Sequence, residues 1–275
     1  MNASERWGAA LASWAIPDEI MSRAPESPWT FPPELFRSRA GRATIGQPSP
    51  TTARAAEALP DGGTVLDVGV GAGAASVRLW PQASRVSGVD GSQAMLEEFL
   101  RAAAAAGVDA VPVLGQWPDV RDEVEPSDVV VCAHVLYNVQ DLEPFARALD
   151  AHARRRVVIE ITSTHPLAWM SDLWLRFHRL ERPTEPTADD AEDALRDFGF
   201  DVGRKDIERP PTPSGFQRRE DAVGLIRRRL CLTRDRDDEV VEALGTRLTQ
   251  HEGLWSAGPD TQRLVTMWWD TAART

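Results

Sequence analysis

The stretch of sequence that decides the fold lies in the first third of the chain and reads Thr64-Val65-Leu66-Asp67-Val68-Gly69-Val70-Gly71-Ala72-Gly73. Its β-branched and apolar start predicts a buried strand that ends near the aspartate. Three alternate glycines follow. Glycine allows the backbone to turn sharply and to pass close to a ligand without a Cβ atom in the way. The stretch therefore predicts a strand followed by a nucleotide-binding loop.

The glycine loop alone does not choose between ligands. Gly69-x-Gly71-x-x-Ala74 also satisfies the dinucleotide fingerprint, which accepts alanine at its third position. Asp90 closes a second predicted strand, 17 residues after Gly73 (90 − 73). An acidic side chain at that place accepts hydrogen bonds from both ribose hydroxyls of a bound nucleotide. These features fit NAD as well as other cofactors that contain adenosine.

Strands and helices alternate around this loop. Strands are predicted at 64–67, 85–90, 111–114, 128–133, 156–161, 200–207 and 264–269, and helices at 51–59, 74–80, 92–106, 141–153, 188–198, 219–230 and 237–248. Continuous runs of valine and isoleucine are typical of parallel strands buried on both faces of a sheet. Pro112 weakens the third strand and places it at an edge or at a strand end. The pattern predicts an α/β fold.

Composition limits the classes of function. The 275 residues are 42% hydrophobic and 27% charged, as in ordinary folded proteins, and their formal net charge of −11 disfavours non-specific binding of nucleic acid. Cys132 and Cys231 stand far apart and predict neither a disulfide framework nor a zinc site. No signal pattern opens the chain and no stretch approaches the ~20 apolar residues of a membrane span, so we expect a cytoplasmic protein. Its near exclusive use of arginine, with Lys205 as the one lysine, is typical of a GC-rich bacterial genome.

Two further segments resemble motifs of class I S-adenosylmethionine-dependent methyltransferases. One is Gly88-Val89-Asp90-Gly91-Ser92-Gln93-Ala94-Met95-Leu96, similar to the second motif of that family, with Ser92 as the expected helix cap. The other is Asp128-Val129-Val130-Val131-Cys132-Ala133-His134-Val135-Leu136-Tyr137-Asn138-Val139, similar to its fourth-strand motif. The resemblance is collinear over residues 64–161. The resemblance implies that the expected nucleotide-like ligand is S-adenosylmethionine.

The resemblance implies a Rossmann-like class I methyltransferase fold. Such a fold has a mostly parallel sheet of about seven strands, with helices on both faces and the last strand antiparallel. We expect an N-terminal helical arm at 1–50 and a methyltransferase domain at 51–275, with a helical insertion at 211–258 before the last strand. The tryptophans of the arm either form a lid over the cofactor or anchor the arm to the core.

The residues that the resemblance places around S-adenosylmethionine are Asp67, Gly69, Gly71, Gly73, Asp90, Gly91, Met95, Gln116, Trp117 and Ala133. Asp90 is expected to bind the ribose hydroxyls, Gly91 and Met95 to border the adenine, and Ala133 to lie beneath the methionine chain. Gln116 and Trp117 depart from the family, which often has an acidic residue followed by a small one. The Gln116 carbonyl oxygen can accept a bond from the adenine amino group, and the Trp117 backbone N–H can serve a ring nitrogen.

His134 and Tyr137 are the candidate catalytic residues. An imidazole titrates near neutral pH, and both residues follow the fourth strand, where the acceptor is expected to approach. Each has an alternative role, His134 as a packed histidine and Tyr137 as a wall residue. His165, after the fifth strand, is a second acid–base candidate unless it is a solvated or capping residue. Arg227-Arg228-Arg229 either attract an anionic substrate or form a solvated helix face.

The expected partner is a small-molecule methyl acceptor with an attacking oxygen or nitrogen. The fourth-strand motif lacks the Asp/Asn-Pro-Pro-aromatic signature of base and amide nitrogen methylation, and no metal-ligand spacing is present. Two alternatives stay open. An NAD-dependent oxidoreductase would use a pair such as Tyr-x-x-x-Lys, but Asp141 stands four places after Tyr137. A non-catalytic S-adenosylmethionine-binding module is the other, although both Asp67 and Asp90 are retained.

Overall fold

A seven-stranded, mostly parallel sheet forms the centre of the protein. The computed structural model describes residues 2–29, 48–209, 215–259 and 261–271. The strands are β1 (Gly63–Val68), β2 (Ala83–Asp90), β3 (Asp109–Leu114), β4 (Ser127–Ala133), β5 (Ala153–Thr162), β6 (Gly203–Arg209), β7 (Leu248–His251), β8 (Leu254–Ala257) and β9 (Gln262–Asp270). Their order in the main sheet is β3-β2-β1-β4-β5-β9-β6, with β9 antiparallel to both neighbours. The sheet and its antiparallel last strand were predicted, and β3 occupies the edge that Pro112 indicated.

Helices cover both faces of the sheet. They are α1 (Ala3–Ala12), α2 (Asp18–Met21), α3 (Pro50–Ala58), α4 (Gln93–Ala106), α5 (Leu142–His152), α6 (Ser171–His178), α7 (Ala188–Asp197), α8 (Arg219–Arg229) and α9 (Asp237–Leu244). Buried residues of α3 and α4 pack on one face, and those of α1, α5 and α7 on the other. Gly107 ends α4 in the left-handed conformation that glycine adopts without strain. Among the described residues, no helix is both long and apolar enough to cross a membrane.

The helix predicted at residues 74–80 is wrong. The chain after the glycine loop forms turns and a single 3-10 turn, Val77–Leu79. Trp80 explains the difference, because its buried indole folds back over Gly73 and donates a hydrogen bond from Nε1 to the Ser76 hydroxyl at 3.2 Å. Packing of this large side chain overrides the helix propensity of the alanines. The loop therefore has no helix N-terminus directly behind it.

The region expected as a helical insertion holds more than helices. Helices α8 and α9 confirm the two predicted, but the second ends at Leu244, and β7 pairs with β8 as an antiparallel hairpin that the sequence interpretation missed. Buried residues of α8 and α9 pack with α6 and with Ile16 in a third hydrophobic cluster. This cluster joins the insertion to the segment that follows β5 and to the N-terminal arm.

Two of the three consecutive arginines on α8 are buried. Arg227 and Arg229 are 4% and 8% exposed, so a solvated helix face is wrong for both. The Arg227 guanidinium lies 3.1 Å from a carboxylate oxygen of Glu26 and 3.0 Å from one of Asp237. A buried guanidinium needs such partners because charge is costly to desolvate. These contacts give Arg227 a structural function in holding the arm to the insertion.

Two tryptophans anchor the N-terminal arm. Trp7 is buried against Tyr137 and donates from Nε1 to the carbonyl oxygen of Val139 at 2.8 Å. Trp14 is also buried and donates to the carbonyl oxygen of Glu185 at 2.6 Å. Burial with a satisfied indole N–H is how such a side chain fixes an irregular segment. The aromatic residues Phe31 and Phe36 lie outside the described residues.

Candidate active site

A buried carboxylate stands at the penultimate position of β1, just before the glycine loop. Asp67 is completely buried, and neither of its carboxylate oxygens has a hydrogen-bond donor within the described parts of the chain. Burial raises the pKa of Asp67 to about 7. The Ser76 hydroxyl lowers this pKa, and the charge of Asp90 raises it. An unpartnered buried carboxylate indicates a place for a cationic donor.

The loop glycines have the conformations that the sequence predicts. Gly69, Gly71 and Gly73 all have positive φ, at 73°, 52° and 85°. A Cβ on Gly69 would come within 2.3 Å of Val135, and one on Gly73 within 2.7 Å of Trp80. A Cβ on Gly71 would meet no heavy atom within 4 Å. Gly71 therefore faces open space, as expected where a ligand passes the loop.

Asp90 links the end of β2 to this loop. Its Oδ2 accepts a hydrogen bond from the Gly71 backbone N–H at 2.9 Å, and its Oδ1 accepts one from the Ser92 N–H at 2.9 Å. Each carboxylate oxygen keeps a lone pair for a ribose hydroxyl. Ser92 takes the predicted N-cap position of α4, but its hydroxyl makes no capping hydrogen bond. Its backbone N–H supports Asp90 instead.

The residues expected around the adenine lie at the neighbouring strand ends. Met95 is buried in the first turn of α4, and the exposed Gln116 crosses so close to Gly91 that a Cβ there would meet Gln116 Nε2 at 2.4 Å. Trp117 packs its side chain in the core, edge-on against His152 with ring centroids 4.9 Å apart. The Gln116 amide is thus placed beside Gly91, and the Trp117 indole points away from it.

His134 follows β4 directly, next to the loop. Its backbone has φ +60°, a conformation that costs a non-glycine residue about 1–3 kcal/mol and clusters at functional sites. The backbone N–H donates to the carbonyl oxygen of Glu160 at 2.7 Å, and Nε2 lies 3.2 Å from Glu160 Oε1. The imidazole is about half exposed, whereas the Glu160 side chain is 9% exposed. Ala133, one residue earlier, pairs with Glu160 in the sheet and is half-buried.

Glu160 is a site residue that the sequence interpretation missed. The Thr51 hydroxyl of α3 donates to its Oε2 at 2.5 Å, and Thr51 also lies 2.8 Å from the Thr266 hydroxyl of β9. A single carboxylate in the apolar strand Val157-Val158-Ile159-Glu160-Ile161 was the available signal. A buried charge is rarely tolerated without a specific function or partner.

Tyr137 and His165 lie together but are both constrained. The Tyr137 hydroxyl donates to the carbonyl oxygen of Thr162 at 2.8 Å, and burial, assisted by the charge of Asp190, raises its pKa above the usual value. Such a phenol is a poor base. His165 is 9% exposed and not solvated, and it stacks on Trp14 with ring centroids 3.8 Å apart.

His165 is held as a neutral imidazole. Its Nδ1 accepts a hydrogen bond from the Leu167 backbone N–H at 3.3 Å. Burial, and then the positive charge of Arg182, lower the pKa of His165 to about 4. A base with so low a pKa takes up a proton weakly at neutral pH. Of the three acid–base candidates, His134 alone combines exposure at the loop with a carboxylate partner.

Comparison with known families shows to which family the chain belongs. The family described as "Methyltransferase domain" matches residues 40–204, which is more than half of the chain. The chain belongs to this methyltransferase family. The matched range includes the glycine loop, Asp90 and His134, so the resemblance to S-adenosylmethionine-dependent methyltransferases is confirmed and the protein is a methyltransferase.

Solved structures confirm the fold class. The YcgJ protein from Bacillus subtilis is similar over 80% of this chain and 97% of its own, with 14% identity and a TM-score of 0.51. A cyclopropane-fatty-acyl-phospholipid synthase-like protein from Lactobacillus casei is similar over 92% and 98%, with 19% identity and a TM-score of 0.50. Coclaurine N-methyltransferase with bound N-methylheliamine and SAH is similar over 96% and 88%, with 13% identity and a TM-score of 0.50. A search of curated proteins finds no match.

Proposed function

We propose that this methyltransferase binds S-adenosylmethionine at the Asp67–Gly73 loop and transfers its methyl group to an oxygen or nitrogen of a small molecule. The observation that carries the proposal is the pair of unpartnered carboxylate oxygens on Asp67 beside the open position at Gly71. A ligand with a cationic ammonium group and a ribose fits this site, because the first balances a buried carboxylate and the second suits Asp90.

The same geometry argues against a dinucleotide. NAD places its pyrophosphate at the N-terminus of the helix that follows the glycine loop, where the backbone N–H groups and the helix dipole stabilise the negative charge. Here the loop runs into turns and the 3-10 turn Val77–Leu79. The oxidoreductase alternative therefore loses its main physical support.

Each cofactor residue then has a task in positioning. Asp90 orients the ribose through its two oxygens, Met95 and Gly91 border the adenine, and the Gln116 amide caps the adenine edge. Asp67 with Gly69 and Gly73 holds the amino-acid end of S-adenosylmethionine, and Ala133 lies beneath that end. The Trp117 backbone N–H donates to a ring nitrogen of the adenine. Bound S-adenosylmethionine supplies an electrophilic methyl group on a sulfonium. Positioning is the main contribution that a protein makes to such a displacement.

His134 is the group that we assign to proton removal from the acceptor, and Tyr137 shapes the wall of the acceptor space. The described parts of the N-terminal arm and of the insertion pack together with α6 in the third hydrophobic cluster, and we assign to them the cover of the acceptor. The net charge of −11 favours a small acceptor over nucleic acid.

A labelled-methyl screen tests this function. The full chain is incubated with S-adenosylmethionine labelled in its methyl group and a library of phenols, alcohols and amines, and the products are identified by mass spectrometry. Label on an oxygen or nitrogen of a small molecule supports the proposal. Label on carbon, or label transferred only to added nucleic acid or protein, would overturn the assigned acceptor class.

A further inference from the structure

The carboxylate of Glu160 is built into the sheet behind His134. It lies on β5, paired in register with Ala133 of β4 and Thr266 of β9. The Thr51 hydroxyl donates to Oε2 at 2.5 Å, so α3 holds the carboxylate in place. The Thr266 hydroxyl of β9 lies 2.8 Å from the Thr51 hydroxyl and holds Thr51 in turn. Hydrogen bonds of this kind fix the orientation of a buried charged group.

His134 is directed toward this carboxylate by its backbone. The left-handed φ of +60° and the hydrogen bond from its N–H to the Glu160 carbonyl oxygen, 2.7 Å long, fix the residue against β5. Nε2 then lies 3.2 Å from Glu160 Oε1. The His134 ring is half exposed, so part of it is accessible to a methyl acceptor.

We propose that Glu160 is a positioning residue that holds the proton of neutral His134 on Nε2 and leaves the Nδ1 lone pair to accept a proton from the methyl acceptor. The inference rests on the proposed methyl transfer and narrows its acceptors to hydroxyl or protonated amine groups. A carboxylate accepts from an N–H of imidazole and so fixes its tautomer.

Every proton and electron pair in the proposed methyl transfer has a defined destination. The acceptor's O–H or N–H proton moves to Nδ1 of His134, and the lone pair left on the oxygen or nitrogen forms the bond to the methyl carbon. The carbon–sulfur bond breaks with its electron pair staying on sulfur, which leaves a neutral thioether. His134 leaves the step as an imidazolium, and the Glu160 carboxylate balances its charge. The Thr51 hydroxyl, itself in contact with Thr266, keeps that carboxylate from rotating away.

Nitrogen NMR of the unliganded full chain tests the inference. The protein is labelled with ¹⁵N in its histidine rings, and the His134 signals are assigned as those missing from the His134→Ala variant. At alkaline pH, where an ordinary imidazole is neutral, the wild type is expected to show a single Nε2-protonated form with a slowly exchanging Nε2 proton. Glu160→Gln should lose that proton resonance and give a mixture of the two tautomers.

The matched control is Glu57→Gln, which removes a carboxylate of α3 that pairs with Arg54 of the same helix and with Arg156 of β5. This control should leave the His134 signals unchanged. A wild-type ring protonated on Nδ1 would overturn the inference even if Glu160→Gln fails to fold, and so would a Glu160→Gln spectrum identical to the wild type. Loss of S-adenosylhomocysteine binding with an intact Nε2 proton would instead overturn the methyl-transfer assignment, so the two failures are distinguishable.

Discussion

The backbone N–H of Gly71 donates a hydrogen bond to the carboxylate of Asp90 at 2.9 Å, which joins the glycine loop to the end of β2 before any ligand binds. Asp90 also accepts from the Ser92 N–H. One carboxylate therefore shapes the loop and presents its remaining lone pairs to the ribose. A site built in advance binds its ligand with a smaller ordering cost.

Asp90→Asn should weaken binding of S-adenosylhomocysteine by tenfold or more. The amide keeps one acceptor oxygen, so one of the two backbone N–H donors loses its partner and a ribose hydroxyl loses its acceptor. Loss of one hydrogen bond to a charged group costs about 1.5–3 kcal/mol. Titration calorimetry measures the affinity. Asp122→Asn, at a 90% exposed position on the 3-10 turn Arg121–Glu123, is the matched control and should bind normally.

Gly69 and Gly71 should respond differently to alanine. At Gly71 the added methyl group meets open space, so Gly71→Ala should lose only about 1–2 kcal/mol of stability from its positive φ. Its affinity for S-adenosylhomocysteine should fall at least tenfold, because the methyl group occupies the ligand's path. Gly69→Ala collides with Val135 and should lose roughly 2–5 kcal/mol of stability.

Thermal unfolding and calorimetry of the two glycine variants give the two readouts. Normal cofactor affinity in a folded Gly71→Ala protein would show that the ligand does not pass this side of the loop.

Asp67 should make the unliganded protein less stable as the pH rises from about 4 to about 7. Burial raises its pKa from 3.8 to about 7, so over this range the folded chain keeps a proton that the unfolded chain has lost. The stabilisation is complete below the unfolded pKa and is lost as the pH passes the folded one. The size is roughly 2–4 kcal/mol.

Asp67→Asn removes this titrating group. The stability of the variant should therefore fall less than that of the wild type when the pH is raised from 4.5 to 8. The variant should also bind S-adenosylmethionine more weakly. Chemical denaturation at the two pH values measures the difference. Equal pH dependence in both proteins would contradict the assigned environment of Asp67.

Tyr137→Phe should retain turnover, whereas His134→Ala should lower it by about 10²-fold or more with unchanged cofactor affinity. The phenol already donates to Thr162, and its loss costs about 1 kcal/mol of stability. Removal of a general base typically costs 10²–10⁴ in rate. His251→Ala, exposed on the β7–β8 hairpin, is the control. Rates are measured with an acceptor found in the labelled-methyl screen. If Tyr137→Phe lowers turnover as much as His134→Ala does, the Tyr137 hydroxyl takes part in catalysis and the assignment is wrong.

Local motifs explain why the sheet and the cofactor loop were predictable. Strand periodicity, the glycines and Asp90 each encode their conformation within a few residues. The segment at 74–80 does not, because its structure depends on where Trp80 packs. The β7–β8 hairpin had a local signal that was overlooked, the glycine Gly253 at its turn. Glu252 and Gly253 both have positive φ, as the two residues of a type I′ hairpin turn require.

The contacts of Glu160 were beyond prediction from the sequence. Thr51 is 109 residues before it and Thr266 is 106 residues after it, so the cluster exists only once α3, β5 and β9 are assembled. The same holds for Arg227 and Glu26, whose pairing reverses the expectation of a solvated helix face. Charged residues were assigned by local pattern, whereas their burial depends on distant elements.

Titration calorimetry with S-adenosylhomocysteine and with NAD, each against the full chain, tests the central claim most directly. The Asp67 carboxylate, the open Gly71 position and the lack of a helix behind the loop predict saturable 1:1 binding of S-adenosylhomocysteine and no heat of binding with NAD. Clear binding of NAD together with no binding of S-adenosylhomocysteine would contradict the account.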